Sequence, residues 1–143
     1  MKPQSCKGKG RRFQKLVARQ VLDAFAHLAE DDVVSTSMGA PGEDVRLSAA
    51  ARAALPLSLE CKCVERLNVW DALQQAERNC PTGADPCLVF TRNRAPAYAV
   101  VRWETLLALY RERHLGGGGG GLPPRLVELL REAATYLPAT TPA

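Results

Sequence analysis

The sequence predicts a mixed α/β domain in which a small central β-sheet is flanked by helices. Several segments place apolar residues at helical spacing, the pattern of helices that pack one face against a core. By contrast, the segment LSLECKCV at 57–64 alternates between apolar and polar side chains, as a strand does. The order of elements is helix, three strands, helix, two strands and helix. This order favours a mixed sheet covered by helices.

The individual elements follow from local patterns along the chain. Residues 1–11 are rich in Lys and Gly and predict a basic, flexible segment. Apolar residues at helical spacing then predict a first helix from Arg12 to about Leu28. The next predicted elements are a β-branched strand at 31–38, a loop at 39–42, a strand at 44–48, a helical turn or bulge at 49–56, the strand at 57–64, a helix at 68–79, a turn at 81–86, strands at 87–93 and 97–103, and a helix at 104–114.

A run of glycines separates the last part of the chain from these elements. Residues 116–121 are all glycine, and glycine has the greatest backbone freedom to lose on folding, so the run predicts a linker. Residues 122–143 are predicted to form an appended helix and tail, with apolar side chains on one side of a helix. The main domain is therefore predicted at 12–115.

The composition is that of one globular domain with a basic beginning. No apolar run approaches the roughly 18 residues of a membrane-spanning helix. No apolar stretch of a secretion signal follows the basic start, so we expect a cytoplasmic location. The net charge is +4, and 7 Lys or Arg residues precede the first acid, Asp23. This block predicts a polyanion partner, nucleic acid first and a membrane surface second, although a solvated tail has the same pattern.

The strand at 57–64 has two chemically different faces. Its leucines and cysteines share one face, whereas Ser58, Glu60 and Lys62 share the other. The two cysteines lack the C-x₂₋₄-C spacing of zinc sites, and the chain has an odd number, 5. We therefore interpret the thiols as reduced and directed into the core.

Asp44 gives the polar face of this strand a chemical interpretation. Glu60 and Lys62 leave the same face about 7 Å apart along the backbone. If the strands at 44–48 and 57–64 pair antiparallel, the carboxylates of Asp44 and Glu60 converge. Two carboxylates beside water and a backbone carbonyl suit Mg²⁺, and a neighbouring lysine can orient or help deprotonate an attacking water. This is the chemistry of phosphodiester hydrolysis; the alternative is an exposed polar face with a cross-strand Asp–Lys pair.

The spacing of these residues resembles the PD-(D/E)xK nuclease superfamily. The pattern is GEDV at 42–45 followed, 16 positions after Asp44, by ECK at 60–62. Within the superfamily the sequence is most similar to archaeal-type Holliday-junction resolvases and their phage-encoded relatives. The further segments that carry this narrower resemblance are KGKGRRFQK at 7–15, STSMGAPGED at 35–44 and LECKCVERLNVWDALQQAE at 59–77. The resemblance covers about residues 7–113.

The resemblance implies a fold, an activity and a partner. The fold would have a restriction-endonuclease-like core with the order αβββαβ. The protein would be a small homodimer that binds four-way DNA junctions and nicks two strands symmetrically, in DNA recombination and repair. Each subunit would hold one Mg²⁺-dependent site, with Mn²⁺ as a substitute and no small-molecule cofactor or membrane. A phage-encoded member would act in the host cytoplasm.

The resemblance also implies roles for particular residues. Asp44 and Glu60 would bind the metal together with the backbone carbonyl of Cys61, and Lys62 would assist the water. Other expected contributors are Ser35 and Ser37 beside the scissile phosphate, and Gln75 on the helix that follows. Family members carry a glutamate in a KGxxxE pattern, and the matching position here is Gln14, so the metal site is expected to be weaker. The residues expected to contact DNA are Lys7, Lys9, Arg11, Arg12, Lys15, Ser35, Arg92 and Arg94.

Two other functions remain open at the level of sequence. The chain can be another nuclease of the same superfamily, acting on linear, flap or replication-intermediate DNA. It can also be a non-catalytic DNA-binding protein that retains the nuclease fold. The missing acid at Gln14 favours the second alternative, whereas Asp44, Glu60 and Lys62 favour catalysis.

Overall fold

The computed structural model describes residues 3–37, 39–115 and 131–132. The chain divides into two compact units, Met1–Leu107 and Ala108–Ala143. The glycine run at 116–121 lies outside the described residues. Of the predicted appended segment at 122–143, only residues 131 and 132 are described, and both are helical.

The described elements form the α/β arrangement that the sequence predicts. In chain order they are α1 (Pro3–Ala24), a 3₁₀ turn (Glu30–Asp32), β1 (Val33–Ser35), β2 (Val45–Leu47), α2 (Ala49–Ala54), β3 (Leu57–Cys63), α3 (Val69–Asn79), β4 (Asp85–Thr91), β5 (Tyr98–Val101) and α4 (Trp103–Leu115). Within the described residues, no helix is long and apolar enough to cross a bilayer.

The five strands form one mixed sheet in the order β1-β2-β3-β4-β5. Strands β3 and β4 are parallel and are joined through α3, whereas the other neighbouring pairs are antiparallel. Helix α1 packs on one side of the sheet, and α3 packs against β3 and β4. Strand β3 is therefore central and is covered by helices. This confirms the predicted mixed sheet flanked by helices.

Two predicted elements differ clearly from the structure in their bounds. Helix α1 begins at Pro3 rather than Arg12 and ends at Ala24 rather than Leu28. Proline suits a first helical turn, and the Lys, Arg and Gln that follow are good helix formers, which outweighs the cost of the interspersed glycines. The predicted strand at 31–38 is regular only at Val33–Ser35, because the acidic residues before it form the 3₁₀ turn.

The two faces of β3 are both buried but differ in composition. Leu59 and Cys61 join Phe13, Val17 and Val45 in the core cluster on the side of α1. This position of the cysteines agrees with the sequence interpretation. On the other face Glu60 is only 2% exposed. The alternative of an exposed polar face is therefore wrong for Glu60.

Side-chain caps determine where the short helices begin. The Asn68 side chain accepts a hydrogen bond from the N–H of Asp71 (3.2 Å) and so caps α3. Ser48 caps α2 by accepting from the N–H of Ala51 (3.1 Å) and donates to Asp32 (2.6 Å). The start of α3 sets which of its side chains face β3.

Candidate active site

The candidate site lies where β2 and β3 separate. The described ladder between them contains a single pair, Val45 with Leu59. Beyond it the N–H of Asp44 still donates to the Leu59 carbonyl (3.2 Å), but the Asp44 Oδ2 atom accepts from the N–H of Cys61 (2.7 Å). A side-chain carboxylate thus occupies the place of a backbone acceptor. Asp44 is thereby anchored to the strand that carries Glu60 and Lys62.

Glu60 and Lys62 are held by two residues of α3. Asn79 Nδ2 donates to Glu60 Oε2 (3.2 Å), and Lys62 Nζ donates to Gln75 Oε1 (2.7 Å). Lys62 Nζ also lies 3.2 Å from Glu60 Oε1, an ion-pair contact without hydrogen-bond geometry. Helix α3 and strand β3 are antiparallel. Gln75 and Asn79, four residues apart on α3, therefore contact Lys62 and Glu60, two residues apart on β3. The predicted position of Gln75 beside the site is in keeping with this contact.

Gln14 reaches the same place from α1. Its side chain is buried, with 4% exposed, and is close enough to Asp44 to lower the pKa of that carboxyl as a hydrogen-bond donor. The Oε1 atom of Gln14 has no hydrogen-bond partner among the described residues. The structure therefore brings Gln14 together with Asp44.

The Asp44 carboxyl has a raised pKa. Burial is the largest cause, and the negative charge of Glu60 acts in the same direction. The N–H of Cys61, the charge of Lys62 and the Gln14 side chain oppose the increase without cancelling it. The protein groups around Asp44 thus compensate its charge incompletely.

The residues present fit an oxygen-coordinated divalent cation. Buried polar atoms are normally hydrogen-bonded. Among the described residues Gln14 Oε1 and Glu60 Oε1 lack a hydrogen bond, and so does Glu43 Oε2, although Glu43 Oε1 contacts Arg52. Gln14 and Glu60, together with Asp44, offer the hard oxygen ligands that Mg²⁺ prefers. Within the described residues no group of three or more His, Cys, Asp or Glu side chains is arranged to hold a metal ion. A cation here would thus have two carboxylates and an amide, with the Cys61 carbonyl as the further ligand expected from the sequence.

Hydrogen bonds join the two ends of the loop between β1 and β2. Thr36 N–H donates to the Asp44 carbonyl (2.9 Å), and Thr36 Oγ1 donates to the Glu43 carbonyl (2.9 Å). Gly42 has a positive φ of 91°, which a residue with a side chain rarely adopts. Ser35 and Ser37 lie on this segment. Their predicted role at a phosphate stays a prediction.

The predicted basic residues follow the same edge of the sheet. Arg11 donates to the Thr36 carbonyl, and Lys9 Nζ donates to Asn93 Oδ1 (3.1 Å) at the tip of the β4–β5 hairpin. The first half of α1 therefore spans from the β1–β2 loop to the hairpin. The predicted DNA-contacting cations with exposed side chains are Lys7, Arg12, Lys15, Arg92 and Arg94. We refer to α1 residues 7–15 and the hairpin tip 92–94 as the basic edge.

The cysteine thiols contribute no chemistry to this site. None of the five is part of a disulfide bond. Burial raises the pKa of Cys87 to about 11 and raises that of Cys61 further, where the Asp44 carboxylate adds to the effect. Both therefore remain neutral near pH 7, as expected of core thiols.

Two contacts were missed at the level of sequence. Asn79 contacts Glu60, and the only available signal was its position four residues after Gln75, on the same side of a helix. Arg52 pairs with Glu43 (2.6 Å) and also donates to the Leu57 carbonyl (2.5 Å). This pair joins the loop before Asp44 to the start of β3, and no spacing rule indicates it.

Comparison with protein-family models, with curated proteins and with solved structures found no match.

Proposed function

We propose that the protein is a divalent-cation-dependent endonuclease of the PD-(D/E)xK type that hydrolyses phosphodiester bonds in branched DNA. The observation that carries the proposal is the meeting of Asp44, Glu60 and Lys62 with buried oxygen atoms that lack hydrogen bonds, at the edge lined by the basic residues. The protein groups around Asp44 also compensate its charge incompletely, which supports a bound cation there.

The side chains of the site have separable roles in this proposal. Asp44, Glu60 and Gln14 would hold Mg²⁺, which when bound stabilises the negative charge that develops on the phosphate. The Lys62 ammonium donates to Gln75 Oε1 (2.7 Å) and lies 3.2 Å from Glu60 Oε1. Held in this position, Lys62 would orient the attacking water. Water adds to phosphorus and one P–O ester bond breaks. One product carries the phosphate monoester and the other the freed hydroxyl.

The basic edge supports DNA as the substrate. Exposed Lys and Arg side chains bind phosphates without reading base sequence, which suits recognition of a branched shape. The Lys9–Asn93 contact joins the two parts of the edge on one side of the molecule. Affinity for DNA should therefore fall steeply as salt concentration rises.

Symmetric cleavage of a four-way junction needs two sites, so we propose a homodimer. Trp70 on α3 is 79% exposed and lies beside Leu73 and Val100 in a cavity, which supports an apolar contact surface there. Replacement of Trp70 by Lys is expected to halve the mass measured by light scattering. An unchanged dimeric mass would place the contact elsewhere, and a monomeric wild type would contradict the homodimer.

The test of the function is cleavage of labelled four-way, flap and linear DNA in Mg²⁺ or EDTA. We expect paired, symmetric nicks in the four-way junction only when Mg²⁺ is present, and loss of about 10²-fold or more in rate for Asp44→Asn and Glu60→Gln. The control is Asp23→Asn, which removes an exposed carboxylate and should cleave like the wild type. Equal cutting of plain duplex would contradict junction selectivity. Unchanged cleavage by the Asp44 and Glu60 variants would contradict the site.

One observation favours a non-catalytic DNA-binding protein as the second candidate. Gln14 supplies no charge at a position where a third carboxylate would strengthen the metal site. In that case the protein would bind branched DNA equally well in Mg²⁺ and EDTA and would cleave none of the three substrates. The same assay therefore separates the two candidates.

A further inference from the structure

A groove adjoins the candidate site on the face of the sheet opposite α1. It lies between the β1–β2 pair and the C-terminal end of α3, and its walls include Ser35, Ser37, Glu43, Arg46 and Asn79. Asn79 belongs both to the groove and to the site, because its side chain donates to Glu60. A ligand in the groove would therefore lie beside the groups proposed to cleave DNA.

Of the two charged side chains in the groove, only Arg46 is not already paired with an opposite charge among the described residues. Arg46 lies between the buried residues Val45 and Leu47 on β2, and its exposed side chain has no carboxylate within ion-pair distance among the described residues. The acid of the groove, Glu43, is already paired with Arg52 at 2.6 Å. The charge left for a ligand is therefore positive. An uncompensated guanidinium is well suited to bidentate contact with a phosphate.

We propose that this groove binds a phosphate of the cleaved strand that flanks the scissile phosphate, with Arg46 as the principal contact. The proposal rests on the proposed nuclease function and deepens it, because it assigns a second phosphate subsite outside the basic edge. The strand would continue from the scissile position past Asn79 into the groove. Arg46 would then act in positioning the substrate rather than in the chemical step.

The test is phosphate interference with matched arginine variants. Four-way junctions are prepared with one neutral methylphosphonate linkage at successive positions on either side of the cleaved bond, and single-turnover cleavage in Mg²⁺ is measured. One flanking linkage is expected to slow the wild type about 10-fold, the scale of a lost charge-assisted hydrogen bond. Arg46→Gln should cleave the unmodified junction slowly, and the methylphosphonate at that linkage should not slow it further. Arg46→Lys, which retains the charge, should recover part of the sensitivity.

The control variant is Arg19→Gln, which removes the same charge from an exposed arginine paired with Asp23 and Glu30. It should retain the full interference pattern. Binding to the junction is measured separately, with Ca²⁺ in place of Mg²⁺. Arg46→Gln should reduce the steepness of log affinity against log salt concentration by about 0.9, the value for one phosphate contact. Arg19→Gln should leave the slope unchanged.

The outcomes separate the two proposals. If the wild type cleaves but no flanking linkage interferes, or Arg46→Gln keeps the wild-type pattern, the groove proposal is overturned and the nuclease function stands. If the wild type cleaves no junction in Mg²⁺, both proposals are overturned.

Discussion

Glu43 and Asp44 are adjacent carboxylates in opposite electrostatic situations. Glu43 Oε1 contacts the Arg52 guanidinium at 2.6 Å, and this pair is largely buried. Asp44 accepts one backbone hydrogen bond, lies near another carboxylate and has a raised pKa. Glu43 has its own cation, and this pair joins the loop to the start of β3. The charge of Asp44 is compensated incompletely, which is the reason for proposing a cation site there.

The largest expected effect concerns the candidate site around Asp44, and it is the loss of cleavage when Lys62 is replaced. Lys62→Met removes the ammonium group beside Glu60 but keeps an unbranched apolar stem, and we expect the cleavage rate to fall about 10²- to 10⁴-fold. Single-turnover cleavage of a four-way junction in Mg²⁺ measures this change. A loss smaller than 10-fold would remove Lys62 from the chemical step.

For the Glu43–Arg52 ion pair the largest expected effect is on the stability of the fold. Arg52→Met leaves the Glu43 carboxylate buried without a cation, and we expect the free energy of unfolding to fall by about 2–3 kcal/mol. Urea unfolding followed by circular dichroism measures it. The matched control is Arg19→Met at an exposed pair, for which a change below about 0.5 kcal/mol is expected. Equal effects of the two substitutions would contradict a structural role for Arg52.

Gln14→Glu should make the site a stronger cation site. A third carboxylate near Asp44 and Glu60 adds repulsion in the absence of metal and a charged ligand in its presence. We expect a lower melting temperature in EDTA and Mg²⁺ binding about 10-fold tighter by calorimetry. Gln14→Leu has similar volume and serves as the control, with weaker binding than the wild type. If Gln14→Glu binds Mg²⁺ no more tightly, Gln14 is not a ligand.

The smallest expected effect is the pH dependence of stability caused by Asp44. Because its folded-state pKa is raised, the folded protein binds this proton more tightly than the unfolded chain does. The stabilisation is complete below the ordinary pKa of 3.8 and is lost as pH rises through the raised value. Asp44→Asn avoids the loss. At pH 7 without metal it should be more stable than the wild type by about 1 kcal/mol or less, since partial exposure screens the charge.

Urea unfolding of both proteins between pH 4 and pH 7 measures this effect. The advantage of Asp44→Asn should grow with pH over that range. An advantage that is constant with pH would show that it does not arise from ionisation of Asp44.

The sequence predicted the elements that depend on local pattern and missed contacts that depend on packing. Alternation placed Leu59 and Cys61 toward the core and Glu60 and Lys62 on the other face, because a strand turns its side chains by a fixed rule. The contact of Asn79 with Glu60 depends on how α3 lies across β3, which no short-range pattern encodes.

The misplaced start of α1 has a similar cause. A segment rich in Lys and Gly predicts flexibility, whereas Lys9 and Arg11 make contacts with the hairpin and the β1–β2 loop that hold the helix against the domain. Those contacts lie far apart in sequence and form only in the fold. The basic charge was visible in the sequence, but its position along one edge of the sheet was not.

The most direct test of the cation site is the effect of Mg²⁺ on thermal unfolding of the wild type, Asp44→Asn and Glu43→Gln. A ligand that binds the folded state but not the unfolded chain stabilises it by RT ln(1 + c/Kd), where c is the free ligand concentration, so the melting temperature rises with the ligand concentration. Mg²⁺ should raise the melting temperature of the wild type and of Glu43→Gln by the same increment, even if the latter is less stable in EDTA. Asp44→Asn should show no increment. An equal Mg²⁺ response in all three proteins, or none in the wild type, would contradict a cation site at Asp44.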